Sequence, residues 1–162
     1  MIHHVLVPTD GSEFAERAVR FSAQVADRRH EAEVTVLYVH LRVHPVIQEH
    51  ATVEMPGETR HDVPMTPAHE ETDSEELVHA QEIVNAAVAE IKSLVTSKEV
   101  TVSGRVVVAN RIDDGILKVA EESKADIIVM GTRGLSTLRG AIMGSVSHAM
   151  IEKAHCPVLI VK

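Results

Sequence analysis

Between Met130 and Ser147 the chain reads MGTRGLSTLRGAIMGSVS, four glycines and a set of hydroxyl residues framed by an apolar DIIVM and a helical VSHAMIEKA. Glycines at 131 and 134 can adopt positive φ and let backbone N–H groups approach an anion with no side chain in the way. Gly144, Ser145 and Ser147 fall where a helix begins, so amides, hydroxyl donors and the positive end of the helix dipole can face one negative group. A phosphate fits that arrangement. The same glycines would equally serve to turn the chain, and Ser145 to cap the helix. Arg133 and Arg139 carry planar forks that match phosphate oxygens, although arginines in exposed loops are otherwise simply solvated. His148, one turn into the helix, is expected at a surface or interface rather than as a general base.

The elements that must position this loop alternate regularly. HVLVP (4 to 8), VTVLYV (34 to 39), DIIVM (126 to 130) and PVLIV (157 to 161) are apolar on both faces, as strands covered by helices on both sides are. VTVSGRVVV (100 to 108) alternates Thr101, Ser103 and Arg105 with valines and reads as an edge strand. Four helical stripes lie between them. The first carries Phe14, Ala18, Phe21 and Val25 behind a Ser12 cap. The second carries Leu77, Ala80, Val84, Ala87, Ile91 and Leu94. Ile112, Ile116 and Val119 follow, with Asp113 and Asp114 suited to a helix N-terminus, and the last stripe is Val146, Ala149 and Met150. Such alternation predicts an α/β fold, a doubly wound five-stranded parallel sheet in the order 3-2-1-4-5 with helices on both faces. In that order the winding reverses between the first and fourth strands, and ligands of open α/β sheets bind outside the carboxyl ends at the reversal. The first strand ends in VPTDGS and the fourth in MGTRG, so Pro8, Thr9 and Asp10 are expected to face Met130, Gly131 and Gly134.

Composition narrows the partners. One domain, residues 1–162, accommodates the length, and 44% apolar residues suit a globular core. A formal charge of −8 and aromatics at 2% disfavour nucleic acid, which needs a basic surface and stacking platforms. No segment approaches the roughly 18 consecutive apolar residues of a membrane span. The opening residues lack a basic region followed by an apolar stretch of signal length, so a soluble, cytoplasmic setting is expected. Cys156, the one cysteine, is read as a small buried hydrophobe, and His3 and His4 as flanks of the first strand without a function. Residues 40 to 73 hold four of the six prolines and seven acidic against two basic residues, without a helical stripe, and read as a mobile insertion. Its histidines, His40, His44, His50, His61 and His69, lack the spacing of a zinc motif, so no metal is assigned.

Gly131-x2-Gly134-x9-Gly144-Ser145 resembles the ATP-binding signature of the universal stress protein family. GSVSHAMIEKAHCPVLIVK is similar to that family's final helix and strand, and VLVPTDGSEFAERAV to its opening strand and helix. The resemblance implies a stress-response regulator that binds an adenine nucleotide, ATP or else AMP or ADP, with Mg2+ able to accompany it. It further implies a homodimer through the C-terminal strand and a protein partner of unknown identity. Position by position it places Pro8, Asp10 and Val39 around the adenosine, with Thr9 counted in the same binding set, and Met130 and Gly131 beside the ribose. Gly134, Gly144, Ser145, Val146 and Ser147 then fall to the phosphates, and Arg133 joins the binding set on the chemistry of its guanidinium alone. Taken alone, Val39 is also a plain core residue of a strand, and Asp10 also a turn former.

A phosphoryl-transfer enzyme is not expected. No G-x4-G-K-[ST] loop occurs and no lysine lies between Lys124 and Lys153, so catalytic residues are assigned nowhere and hydrolysis is expected to be slow at most. A receiver domain would need its aspartate at the end of a different strand, and the H-x-G-H and S-G-G-x-D-S signatures of nucleotidyl transfer are absent. The alternative is a structural or interaction dimer whose phosphate loop is vestigial.

Overall fold

In the computed structural model, residues 2–28, 31–42, 68–134 and 143–162 are described, the side chains of 68–73 excepted. The elements run β1 (His4–Pro8), α1 (Glu13–Asp27), β2 (Ala32–Leu41), α2 (Ala68–Leu94), β3 (Val100–Ala109), α3 (Ile112–Glu122), β4 (Ile127–Gly131), α4 (Ser145–Lys153) and β5 (Val158–Val161). The sheet order is β3-β2-β1-β4-β5, with every neighbouring pair parallel. The predicted topology is therefore the observed one, and β3 is an edge.

Strand parity explains the two layers of core. Val5, Val7, Val34, Val36 and Val129 point to one face and pack with α1 and α2. Their chain neighbours Leu6, Leu37, Ile128 and Met130 point to the other and pack with α3 and α4. Both faces are thus dry, which is why these strands read as continuous apolar runs.

Register between β1 and β4 is pinned at their starts. The carboxylate of Asp126 accepts the backbone N–H of His3 at 2.6 Å and of His4 at 2.9 Å, while the Asp126 N–H donates to the His4 carbonyl at 2.9 Å. Those two amides hold the Asp126 carboxyl below the usual carboxylate range. His4 is buried: its Nδ1 donates to the Ser123 carbonyl at 2.7 Å and its Nε2 lies 2.8 Å from the Thr35 hydroxyl. A residue expected to be idle is therefore a tie between three segments.

Several expectations change. The buried stripe of α1 is Ala15, Ala18, Val19, Ser22, Ala23 and Ala26, whereas Phe21 is exposed, because small residues let the helix lie close to the sheet. Leu94, at the end of α2, is exposed as well. Strand β2 continues through His40 and Leu41, and α2 already starts at Ala68, so both ends of the presumed insertion are regular structure. His40 is buried and its Nε2 lies 3.7 Å from a Glu76 carboxylate oxygen. His44, His50, His61 and Arg139, like the central part of the insertion, lie outside the described residues, as does the side chain of His69. Cys156 is half-buried, and that burial pushes its thiol pKa up, in keeping with a packing role.

The edge strand β3 is held under α2 by a missing side chain. A Cβ on Gly104 would lie 2.3 Å from Val84 Cγ1, and Val84 is fully buried and stiff at χ1. Gly104→Ala is expected to lower stability by about 1–3 kcal/mol through overpacking. Val84→Ala should relieve that strain, so a double-mutant cycle read by urea denaturation should show a favourable coupling between the two; additive losses would refute the packing account.

Candidate functional site

At the carboxyl ends of β1, β2 and β4 and the start of α4 lies an open cavity of about 450 Å³. Its lining includes Pro8, Thr9 and Asp10 after β1, Val39 from β2, and Met130, Gly131, Arg133 and Gly134 from the end of β4 onward. Gly144, Ser145, Val146 and Ser147 from the start of α4 complete that set. All twelve residues singled out in the sequence thus surround one space, at the point where the winding of the sheet reverses. Leu37, Tyr38, Leu41, Ile112, Ile116 and Met143 join them unforeseen. Leu37 and Leu41 share the parity of Val39, and Ile112 and Ile116 were visible only as a helix stripe.

One wall of the cavity is rich in N–H groups. Helix α4 has Gly144 as N-cap, no side-chain cap and no acidic residue in its first turn, whereas α1 and α3 each carry two acids there. The first amide bonded back within the turn is that of His148, which donates to the Gly144 carbonyl at 3.0 Å. Helical geometry therefore leaves the amides of Ser145, Val146 and Ser147 without an intrahelical acceptor, at the positive end of the dipole. The Ser147 hydroxyl does not join them. It is buried and donates to the carbonyls of Gly131 at 2.9 Å and Thr132 at 3.1 Å, fastening α4 to the end of β4. The Gly144 N–H donates to the Thr132 carbonyl at 2.8 Å in the same fastening.

Positive φ is not what Gly131 and Gly134 supply. Among the described glycines only Gly11 adopts it, at 75°. At Gly131 a Cβ would lie 2.7 Å from the backbone of Phe14, and at Gly134 it would lie 2.3 Å from Asp10 Oδ2. These glycines are there for close approach, one to helix α1 and the other to a carboxylate. Asp10 also forms the turn it was suspected of, since its Oδ1 accepts the Ser12 N–H at 3.0 Å. Asp10 thus forms a turn and lines the cavity at once. Val39 is likewise a buried strand residue and part of the cavity wall. Burial, followed by the charges of Asp10 and Glu76, pushes the Tyr38 hydroxyl pKa up.

The helices α3 and α4 are joined by a cluster that the helix-dipole reading of Asp113 did not foresee. Asp113 is buried, and its carboxylate takes two bonds from Arg111, at 3.0 and 2.9 Å, and one from Lys153 at 2.9 Å. Lys153 ends α4 and Asp113 begins α3, so the cluster ties the two helices that flank the cavity. His148 is exposed and pairs with Glu152 at 3.6 Å, away from any such role. Among the described residues no three of His, Cys, Asp and Glu gather as a metal site, and no helix is long and apolar enough to cross a membrane.

The bonds from Arg111, then those from Lys153, hold the Asp113 carboxyl far below its ordinary value. A carboxyl depressed in the folded state contributes stability that is complete above the unfolded value, about 3.9, and is lost as pH falls below it. Wild type should therefore exceed Asp113→Asn in stability at about pH 6, with the gap narrowing between about pH 4 and pH 2. Urea midpoints across that range test this; a constant gap would show that the cluster does not carry the effect.

The model of the universal stress protein family matches residues 1–162. Universal stress protein MJ0531 of Methanocaldococcus jannaschii is 31% identical over 158 residues, which cover 98% of this chain and 81% of the relative. Among solved structures, that of hypothetical protein MJ0577 aligns with a TM-score of 0.75 at 27% identity, covering 100% of this chain and 96% of that one. A universal stress protein in complex with cAMP aligns at 0.64 and 26% identity, covering 99% and 96%. The universal stress protein of Archaeoglobus fulgidus in complex with dAMP aligns at 0.60 and 26%, covering 100% and 98%.

Proposed function

This chain belongs to the universal stress protein family, and from that premise we propose that it binds an adenine nucleotide, ATP foremost, and acts as a nucleotide-dependent switch or sensor in a stress response. The observation that carries the reading is the cavity itself, in which an apolar floor meets a wall of helix amides free of acidic residues. Its volume, about 450 Å³, falls in the range of pockets that enclose small ligands. Two relatives in the same fold hold adenine nucleotides, cAMP in one case and dAMP in the other.

In this reading Pro8, Thr9, Asp10 and Val39 surround the adenosine, against the apolar side chains of Leu37, Ile112 and Ile116. Met130 and Gly131 border the ribose. Gly134, Gly144, Ser145, Val146 and Ser147 meet the phosphates, and they do so through backbone N–H groups, since the Ser147 hydroxyl is already committed. Arg133 adds a charge at that end. The Asp10 carboxylate is the group to hold Mg2+ through water when the metal arrives with the nucleotide. AMP and ADP fit the same scheme with fewer phosphate contacts.

Binding rather than turnover suits the lining, which among the described residues offers one arginine, one carboxylate and no lysine. Efficient phosphoryl transfer needs a positioned cation, a metal site and a group that orients the nucleophile. Signalling in such a protein comes from the difference in nucleotide affinity between two states of the loops or of an assembly. The assembly we propose is a cytoplasmic homodimer through β5, a four-residue edge strand whose apolar side chains are all half-buried.

Gly144→Val separates binding from folding. A Cβ there meets the Thr132 carbonyl oxygen at 3.4 Å, an ordinary contact, so the fold should tolerate it to within about 1 kcal/mol. The added side chain stands beside the helix amides, and ATP affinity measured by calorimetry should fall by at least about tenfold, the weight of one charge-assisted bond. Unchanged affinity would remove the phosphate assignment and favour a structural dimer with a vestigial loop.

A further inference from the structure

Arg133 differs from most of the described arginines. Arg17, Arg20, Arg105 and Arg111 each pair with a carboxylate. Arg133 forms no ion pair with a described carboxylate, and its guanidinium lies 5.7 Å from the centroid of the Phe14 ring. The same ring carries Arg17 at 5.5 Å, but that charge is already met by Glu13. The ring thus holds one neutralised cation and one that has no described carboxylate beside it.

The ring is well anchored. Phe14 stands in the first turn of α1, behind the Ser12 cap that accepts the Ala15 N–H. Gly131 packs against its backbone, with a hypothetical Cβ only 2.7 Å away. Phe14 does not line the cavity, whereas Arg133 does, at the end occupied by Gly134 and the start of α4. A loop arginine usually loses side-chain freedom when it meets a ligand, and a platform that already holds the guanidinium removes part of that loss.

We propose that Phe14 is a positioning residue that holds Arg133 at the phosphate end of the cavity and so raises the preference for nucleoside polyphosphates over the bare nucleoside. The inference rests on the adenine-nucleotide reading above and adds the group that tunes it. Its influence reaches the ligand only through Arg133, so it acts on phosphate charge and leaves recognition of the nucleoside alone. Neither Arg17, which is neutralised, nor the backbone contact of Gly131 can supply that selectivity.

Calorimetric titration of ATP and of adenosine into wild type, Phe14→Leu, Phe14→Tyr, Arg133→Ala and the Phe14→Leu/Arg133→Ala pair tests this. Phe14→Leu should weaken ATP binding about two- to fivefold, the size of an exposed cation–π contact, and leave adenosine unchanged. Phe14→Tyr, which keeps the ring, should restore ATP affinity. In the Arg133→Ala background, Phe14→Leu should cause no further loss. Equal weakening of both ligands would mean a merely structural role, and an unchanged ATP affinity or additive losses would equally overturn the proposal. Wild type that binds ATP while Phe14→Leu matches it removes only the role of Phe14. Wild type that binds neither ligand removes the nucleotide reading itself.

Discussion

Pairing of β1 with β4 brings together two strands distant in sequence, and the site exists only because of it. Val5 opposes Ile127 and Leu6 opposes Ile128, while β1 pairs with β2 on its other side. The chain leaves β1 for α1 over one face of the sheet and leaves β4 for α4 over the other, so the two connections diverge and leave a crevice above the strand ends. Asp126 secures this arrangement at the far end of the sheet, where one carboxylate binds two amides of the chain entering β1. A shift in that register would carry Asp10 away from Gly134, and the cavity would lose its two closest walls.

Electrostatics at the crevice run against the chain as a whole. The protein carries a formal charge of −8, yet the start of α4 holds no acid in its first turn and keeps amides at the positive end of a dipole. That end is built by fastening: Ser147 and Gly144 bond back to the last residues of β4, and the Asp113 cluster ties the far end of α4 to α3. A rigid set of donors binds an anion without reorganising. Arg133 on its Phe14 platform extends the same design from backbone to side chain.

Much of this was legible in the sequence because it follows from period and from residue type. Apolar runs on both faces gave away the covered strands, and the alternation of Thr101, Ser103 and Arg105 marked the edge. Topology then brought VPTDGS and MGTRG together, so all twelve chosen residues met at one cavity. The misses have a common cause, which is contact across the fold. Phe21 matched the helical period of α1, yet small residues face the sheet there, and only packing decides which side of a helix turns inward. Gly131 and Gly134 were read by their own freedom, whereas Phe14 and Asp10 require their lack of a side chain. Asp113 looked like a dipole residue until Lys153 arrived from another helix. No local pattern announces that Phe14 lies under Arg133.

The central claim is that this cavity holds an adenine nucleotide. Freshly purified protein, denatured in acid, should release adenine nucleotide identifiable by chromatography, and the stripped protein should bind ATP with micromolar affinity and GTP more weakly. Protein that releases no nucleotide and binds neither would contradict the account, leaving the glycine loop as a device for closing the fold.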